Sequence, residues 1–284
     1  MKNRKKTVIA AAIASGTVMV LVICAFAFGF KIWQPQEQPD TKGTDGPGST
    51  VSETQEITSA DTTSPTEIIP PTSQEPSETI QPKVSQELSR LLRLSDLTAD
   101  RLTELGCKQL VTVESSGSEA QIGFYELQND EWVENDKLLC TGYVGRNGVT
   151  EDMHEGGKAT PKGLYSVGEA FYIDDIPTTG LDTFQITEDT YWVDDPDSSM
   201  YNRRVEGRKN ADWSSAEHMI DYRPSYDYGF VIDYNTEAVY NAGSAIFFHI
   251  SGRPTAGCVG TDTDMVLRYL AALEKTQKPY ILIL

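Results

Sequence analysis

From Thr7 to Phe30 the chain carries no charged residue, and Val, Ile, Ala and Phe dominate the run. As a helix rising about 1.5 Å per residue, it is long enough to cross a hydrocarbon core of roughly 30 Å. The sequence therefore predicts a transmembrane helix over 7–30. Lys2, Arg4, Lys5 and Lys6 precede it, and basic residues stay inside, so 1–6 is expected to be a cytoplasmic tail. Ala25-Phe26-Ala27 loosely resembles a signal-peptidase site, but a signal peptide has only about 7–15 apolar residues, which favours an uncleaved single-pass anchor. Everything beyond it is then expected on the extracytoplasmic, cell-wall side of the membrane.

Residues 31–83 read as a disordered stalk. Of the 50 residues from Gln34 to Lys83, 24 are Ser, Thr or Pro and none is aromatic, so the segment cannot bury enough apolar surface to offset its ordering entropy. Four of the 24 basic residues precede the apolar run, which leaves 20 against 42 acidic residues, a formal charge of −22 on the exported part. Such a surface argues against nucleic acid as a partner. Cys24 falls in the apolar run, leaving Cys107, Cys140 and Cys258, an odd number for an oxidising compartment. Cys107 and Cys140 could bridge, or either could be a small buried apolar residue.

Residues 84–106 place Leu88, Leu91, Leu92, Leu102 and Leu105 at roughly helical intervals, with a break at Ser95-Asp96, and predict a helical neck of one or two short helices. Beyond Cys107 the pattern turns to short β-type runs: 109–113, 121–127, 132–133, 138–144, 163–167, 184–187, 229–234, 245–250 and 280–284, separated by Gly, Pro, Asn and Asp clusters. This predicts a mainly β sandwich or barrel over 107–284, with one strong helix after Thr261, where Thr261 and Asp264 fit a capping box.

The chemistry concentrates near that helix. Ala245-Ile-Phe-Phe-His-Ile-Ser-Gly252 is an apolar strand that delivers His249 to its end, and Thr255-Ala-Gly-Cys-Val-Gly260 follows. A cysteine just ahead of a helix N-terminus is expected to have a lowered pKa, with backbone N–H groups of Gly257 and Cys258 available to a developing oxyanion. A histidine within loop reach can take the thiol proton and return it to a leaving amine, and His249 suits this better than His154 or His218. His218, in Ala216-Glu-His-Met219, reads as a helix-surface residue.

These residues resemble the active-site segment of the L,D-transpeptidase (YkuD-type) catalytic domain, in which a histidine, a loop and Ser/Thr-His-Gly-Cys follow in order. Thr255, Gly257, Cys258 and His249 match, and Gly252 matches a glycine that often follows the histidine. Gly156-Gly-Lys-Ala-Thr-Pro-Lys-Gly163, Tyr191-Trp-Val-Asp-Asp-Pro196 with Tyr201-Asn202, and Tyr228-Gly-Phe-Val-Ile-Asp-Tyr-Asn235 look like a short-loop subgroup of that family. Two positions depart from the commoner pattern: Ala256 replaces a second histidine, and Gly260 stands where Arg or Asn is frequent.

The expected catalytic residues are Cys258, His249 and Gly257, and the expected substrate contacts are Ser251, Gly252, Arg253, Thr255, Trp192 and Asn202. The resemblance implies acyl transfer between peptidoglycan stem peptides through a cysteine thioester, with no metal or organic cofactor; water as acceptor would make the reaction an L,D-carboxypeptidase. A sortase-like transpeptidase lacks support, since no arginine after Cys258 precedes Arg268, and a non-catalytic wall-binding domain rests mainly on Ala256.

Overall fold

The computed structural model describes residues 82–284; the expected tail, transmembrane helix and nearly all of the expected stalk lie outside the described residues. Among the described residues no helix is long and apolar enough to cross a membrane.

Two short helices open the described chain. α1 (Gln86–Leu94) starts at Ser85, whose side chain accepts the Leu88 N–H, and α2 (Ala99–Leu105) starts at Thr98, whose hydroxyl accepts from Arg101. Ser95 ends α1, and Gly106 ends α2 in the left-handed conformation that favours glycine. Leu88, Leu91, Leu92 and Leu102 are buried in one cluster with Leu110, Tyr125, Trp132 and Leu282, so the helices form a layer on the β structure that follows.

Strands then run as β1 (Gln109–Ser116), β2 (Glu119–Gln128), β3 (Glu131–Glu134), β4 (Cys140–Tyr143), β5 (Val149–Thr150), β6 (Thr160–Pro161), β7 (Gly163–Tyr172) and β8 (Thr183–Gln185). They continue as β9 (Thr190–Val193), β10 (Arg204–Glu206), β11 (Ala216–His218), β12 (Tyr228–Ile232), β13 (Phe247–Ile250) and β14 (Val259–Thr261). Helix α3 (Thr263–Ala272) and strand β15 (Pro279–Ile283) complete the chain.

Eight strands close into a barrel in the order β1-β15-β7-β12-β13-β14-β4-β2, with β2 pairing back to β1, which leaves the closed set without a free edge. β3 and β8 extend it at β2 and β7, and β10-β9-β11 form a separate three-stranded sheet. The fold is mainly β, as the sequence predicts. The expected strand at 138–144 is instead a 3₁₀ turn at Asp136–Leu138 followed by β4. The helix cap also moves: Asp262, not Thr261, accepts the Met265 N–H at 3.0 Å, while Thr261 ends β14.

Alternation along the strands makes two apolar layers. Phe230, Phe248 and Val259 point into the barrel with Phe124, Ile281 and Ile283, where α3 adds Val266, Tyr269, Leu270 and Leu273. Their neighbours Val231, Phe247 and Cys258 point outward, into a second cluster with Phe171, Trp192, Met219 and Tyr226. The nucleophile candidate thus belongs to the outer layer. Glycine is required at 229, opposite His249 on β12: a Cβ there would lie 2.3 Å from Phe171 Cζ and 2.5 Å from the Phe248 carbonyl.

Candidate active site

β13 and β14 run parallel, with Phe248 beside Val259 and His249 beside Gly260. Extending that register by one residue sets Cys258 beside Phe247. Because the side-chain period of a strand is two, Phe247, His249 and Cys258 then share the outer face. The loop 251–258 travels back along β13 to begin β14, which is why a residue nine positions after His249 lies next to the start of its strand.

That loop is pinned. The Thr255 hydroxyl donates to the Cys258 carbonyl at 2.6 Å and accepts from the Gly257 N–H at 3.2 Å, while Thr160 donates to the Gly257 carbonyl at 2.7 Å. The backbone of Thr255 is laced to Val144 and Arg146. Thr255 is therefore a brace of the nucleophile loop, buried and hydrogen-bonded, and the Gly257 N–H expected for an oxyanion is already committed to it.

Cys258 is 6% exposed. Its Sγ donates to the Ala245 carbonyl at 3.2 Å and accepts from the Phe247 N–H at 3.4 Å. Burial, and next the charge of Glu217, push the thiol well above its usual range. The expected lowering by a helix N-terminus does not occur, because β14 separates Cys258 from α3. Burial pushes His249 down to about 4, so its imidazole is neutral near pH 7. Nδ1 lies 2.9 Å from the Ile250 carbonyl and donates to it, which leaves Nε2 as the basic nitrogen. No hydrogen bond joins Cys258 to His249 at rest. The pair is a neutral thiol and a neutral imidazole on one face of one strand pair.

Both line a cleft of about 340 Å³, together with Ser251, Arg253, Thr255, Ala256 and Gly257. Arg253 and Ala256 are exposed there. Gly260 is buried under Ser251, and a Cβ on it would lie 2.4 Å from Ser251 Cβ, so no larger side chain fits. The Ser251 hydroxyl donates to the Arg253 carbonyl at 2.7 Å, which shapes the loop.

Three expected substrate contacts lie elsewhere. Gly252 is an exposed loop residue outside the cleft lining. Trp192 packs edge-on against Phe247, with ring centres 4.9 Å apart, and its indole N–H donates to Asn202 Oδ1 at 2.9 Å. Asn202 also accepts from the Ala245 N–H and donates to the Tyr234 and Asn235 carbonyls. Trp192 packs on Phe247, and Asn202 holds the Ala245 backbone whose carbonyl receives the Cys258 thiol.

The cleft is also lined by acids and a phenol that the sequence reading did not single out: Glu155, Asp194, Glu217 and Tyr226. His218 is the last residue of β11, not part of a helix; it stacks on Tyr191 at 4.6 Å and bonds Asp221, so Glu217, one residue earlier, takes the other face and meets the cleft. At three residues, Ala216-Glu-His218 is too short for its alternation to announce this in the sequence. Cys107 and Cys140 are both unbridged; burial raises Cys107 to about 12. Among the described residues no group of three or more His, Cys, Asp or Glu side chains is arranged to hold a metal ion.

No family model matches the chain, and no curated protein matches it. Among solved structures, it is similar to the helical cell shape determining protein Pgp2 from Campylobacter jejuni, with 12% identity and a TM-score of 0.31 over 62% of this chain and 47% of that one. A point mutant of the same protein gives 13% identity and a TM-score of 0.31, over 62% and 46%. The chain thus spans just under half the length of that protein, and a likeness this weak carries no inference about activity.

Proposed function

We propose that this chain is a cysteine acyltransferase of the L,D-transpeptidase type, acting on peptidoglycan stem peptides. The observation that carries the reading is the common face shared by Cys258 and His249 in one cleft, with the imidazole tautomer set by the Ile250 carbonyl. In the proposed cycle the thiol turns from Ala245 toward His249 Nε2, which takes its proton as sulfur attacks the carbonyl before the terminal D-Ala. The C–N bond breaks, the imidazolium protonates the departing amine, and a thioester to Cys258 remains. An acceptor amine then attacks the thioester and loses a proton to His249; the C–S bond breaks, and that proton returns to sulfur to restore the thiol. Because burial holds both partners neutral at rest, the thiolate forms only as the attack proceeds.

In the same proposal residues 7–30 anchor the chain in the membrane and 31–83 let the domain reach the wall; protease added outside wall-stripped cells should then release the domain. The catalytic reading is tested by incubating full-length protein with defined tetrapeptide stems and following D-Ala release and cross-linked product by mass spectrometry. Wild type should release D-Ala and Cys258→Ala should not. Equal release by both would remove the mechanism.

A further inference from the structure

Glu217 lines the cleft yet takes no part in the proton transfers above. Its Oε2 accepts the Tyr226 hydroxyl at 2.7 Å. Tyr226 is 3% exposed, and its ring meets His249 edge-on at 5.2 Å and Phe247 at 5.5 Å. The backbone ties the same groups together: Ile250 donates its N–H to the Ser225 carbonyl and receives the His249 Nδ1–H on its own carbonyl. Tyr226 and Cys258 pack in the same outer cluster around Phe247, whose N–H bonds the sulfur; the Tyr226 hydroxyl favours the thiolate, whereas the Glu217 charge disfavours it. A phenol has one proton to donate, so a Tyr226 committed to Glu217 cannot serve the sulfur.

We propose that Glu217, acting through the Tyr226 hydroxyl, is a positioning residue for the Cys258–His249 pair that sets how readily the thiol ionises. Its consequence for turnover rests on the acyl-transfer reading, but its test does not. The groups facing Glu217 are Tyr226 and Tyr222 from the 219–226 segment, Asp194 after β9, Glu155 from the loop after β5, and Cys258. Arg146, Lys158, His154 and Arg253 line other parts of the cleft, and no cation is among the charges acting on Glu217. Burial, with Asp194 and Glu155 adding to it, pushes its carboxyl up to about 7, so it changes charge near neutrality.

The experiment is alkylation of Cys258 in full-length protein by iodoacetamide from pH 5 to 10, read by peptide mass spectrometry. It needs no peptidoglycan, so failure of stem-peptide turnover and failure of this proposal are separate results. Two coupled groups titrate as a pair. The wild-type rate should climb about tenfold per pH unit to about pH 7, pause while Glu217 ionises, then climb again. Glu217→Gln should remove the pause and alkylate roughly 10-fold faster at pH 9, the equivalent of about one pKa unit of coupling. Tyr226→Phe removes the hydroxyl through which Glu217 acts, and should shrink or abolish the pause. A wild-type profile without a pause, or a folded Glu217→Gln that keeps it, overturns the proposal. Should Glu217→Gln fail to fold, Tyr226→Phe decides: a diminished or lost pause supports the proposal and an undiminished one overturns it.

Discussion

Asn202 offers the sharpest test of how the backbone around Cys258 is held. It is 6% exposed and sits in a left-handed conformation at φ 52°, which asparagine tolerates better than most residues. Its Oδ1 accepts from Trp192 Nε1 and the Ala245 N–H, and its Nδ2 donates to the Tyr234 and Asn235 carbonyls. Asn202→Ala orphans two buried donors at about 1–3 kcal/mol each and adds about 1 kcal/mol for alanine in the left-handed region. The sum, about 3–7 kcal/mol, corresponds to a fall in Tm of roughly 6–28 °C for a domain of this size. Asn202→Asp keeps both acceptor contacts but turns an oxygen toward two carbonyl oxygens, so it should be destabilised at pH 8 and recover as the carboxyl protonates in acid. Thermal unfolding followed by circular dichroism at pH 4 to 8 measures both. An Asn202→Asp variant as stable as wild type at pH 8 would refute the bracket described here.

Loss of general acid-base chemistry should lower the acylation rate of His249→Gln by about 100-fold to 10,000-fold in single-turnover assays while the fold persists. Glu217 is held at about 7 against an ordinary 4.5, so the unfolded chain ionises first and stability is lost as pH rises from 4.5 to about 7. Glu217→Gln should abolish that loss, worth at most roughly 3 kcal/mol and visible as a Tm gain over wild type at pH 8 relative to pH 4.5. His249, held at about 4 against an ordinary 6.5, imposes the opposite loss as pH falls from 6.5 toward 4, and His249→Gln should remove it in the same melts.

The barrel strands were legible where their apolar runs were long, as in Ala245–Ile250, whose end carries His249. Strands of two to four residues were not: β14 is Val259-Gly-Thr261, too short to show a period, and missing it gave Cys258 a helix N-terminus that it does not have. Ala216-Glu-His218 looked helical for the same reason, which drew attention to His218 and away from Glu217. The meeting of Cys258 and His249 in one cleft was legible because the two are set a short, fixed distance apart in the chain. Trp192 and Asn202 were expected in the cleft because both lie in stretches that resemble the L,D-transpeptidase family. Their bonds to Phe247, Tyr234 and Ala245 come from residues more than 30 positions away, and no local pattern announces them. Tyr226 and Glu217 meet by the same long-range packing.

The most direct measurement is the intact mass of full-length protein mixed rapidly with a tetrapeptide stem and quenched in acid, followed by peptide mapping. The account predicts a species heavier by the stem acyl group less D-Ala, with the adduct on Cys258 and on neither Cys107 nor Cys140, and lost on treatment with hydroxylamine. Folded wild-type protein that forms no adduct with any of several stem types, or that carries it on another residue, would contradict the assignment of Cys258 as the nucleophile.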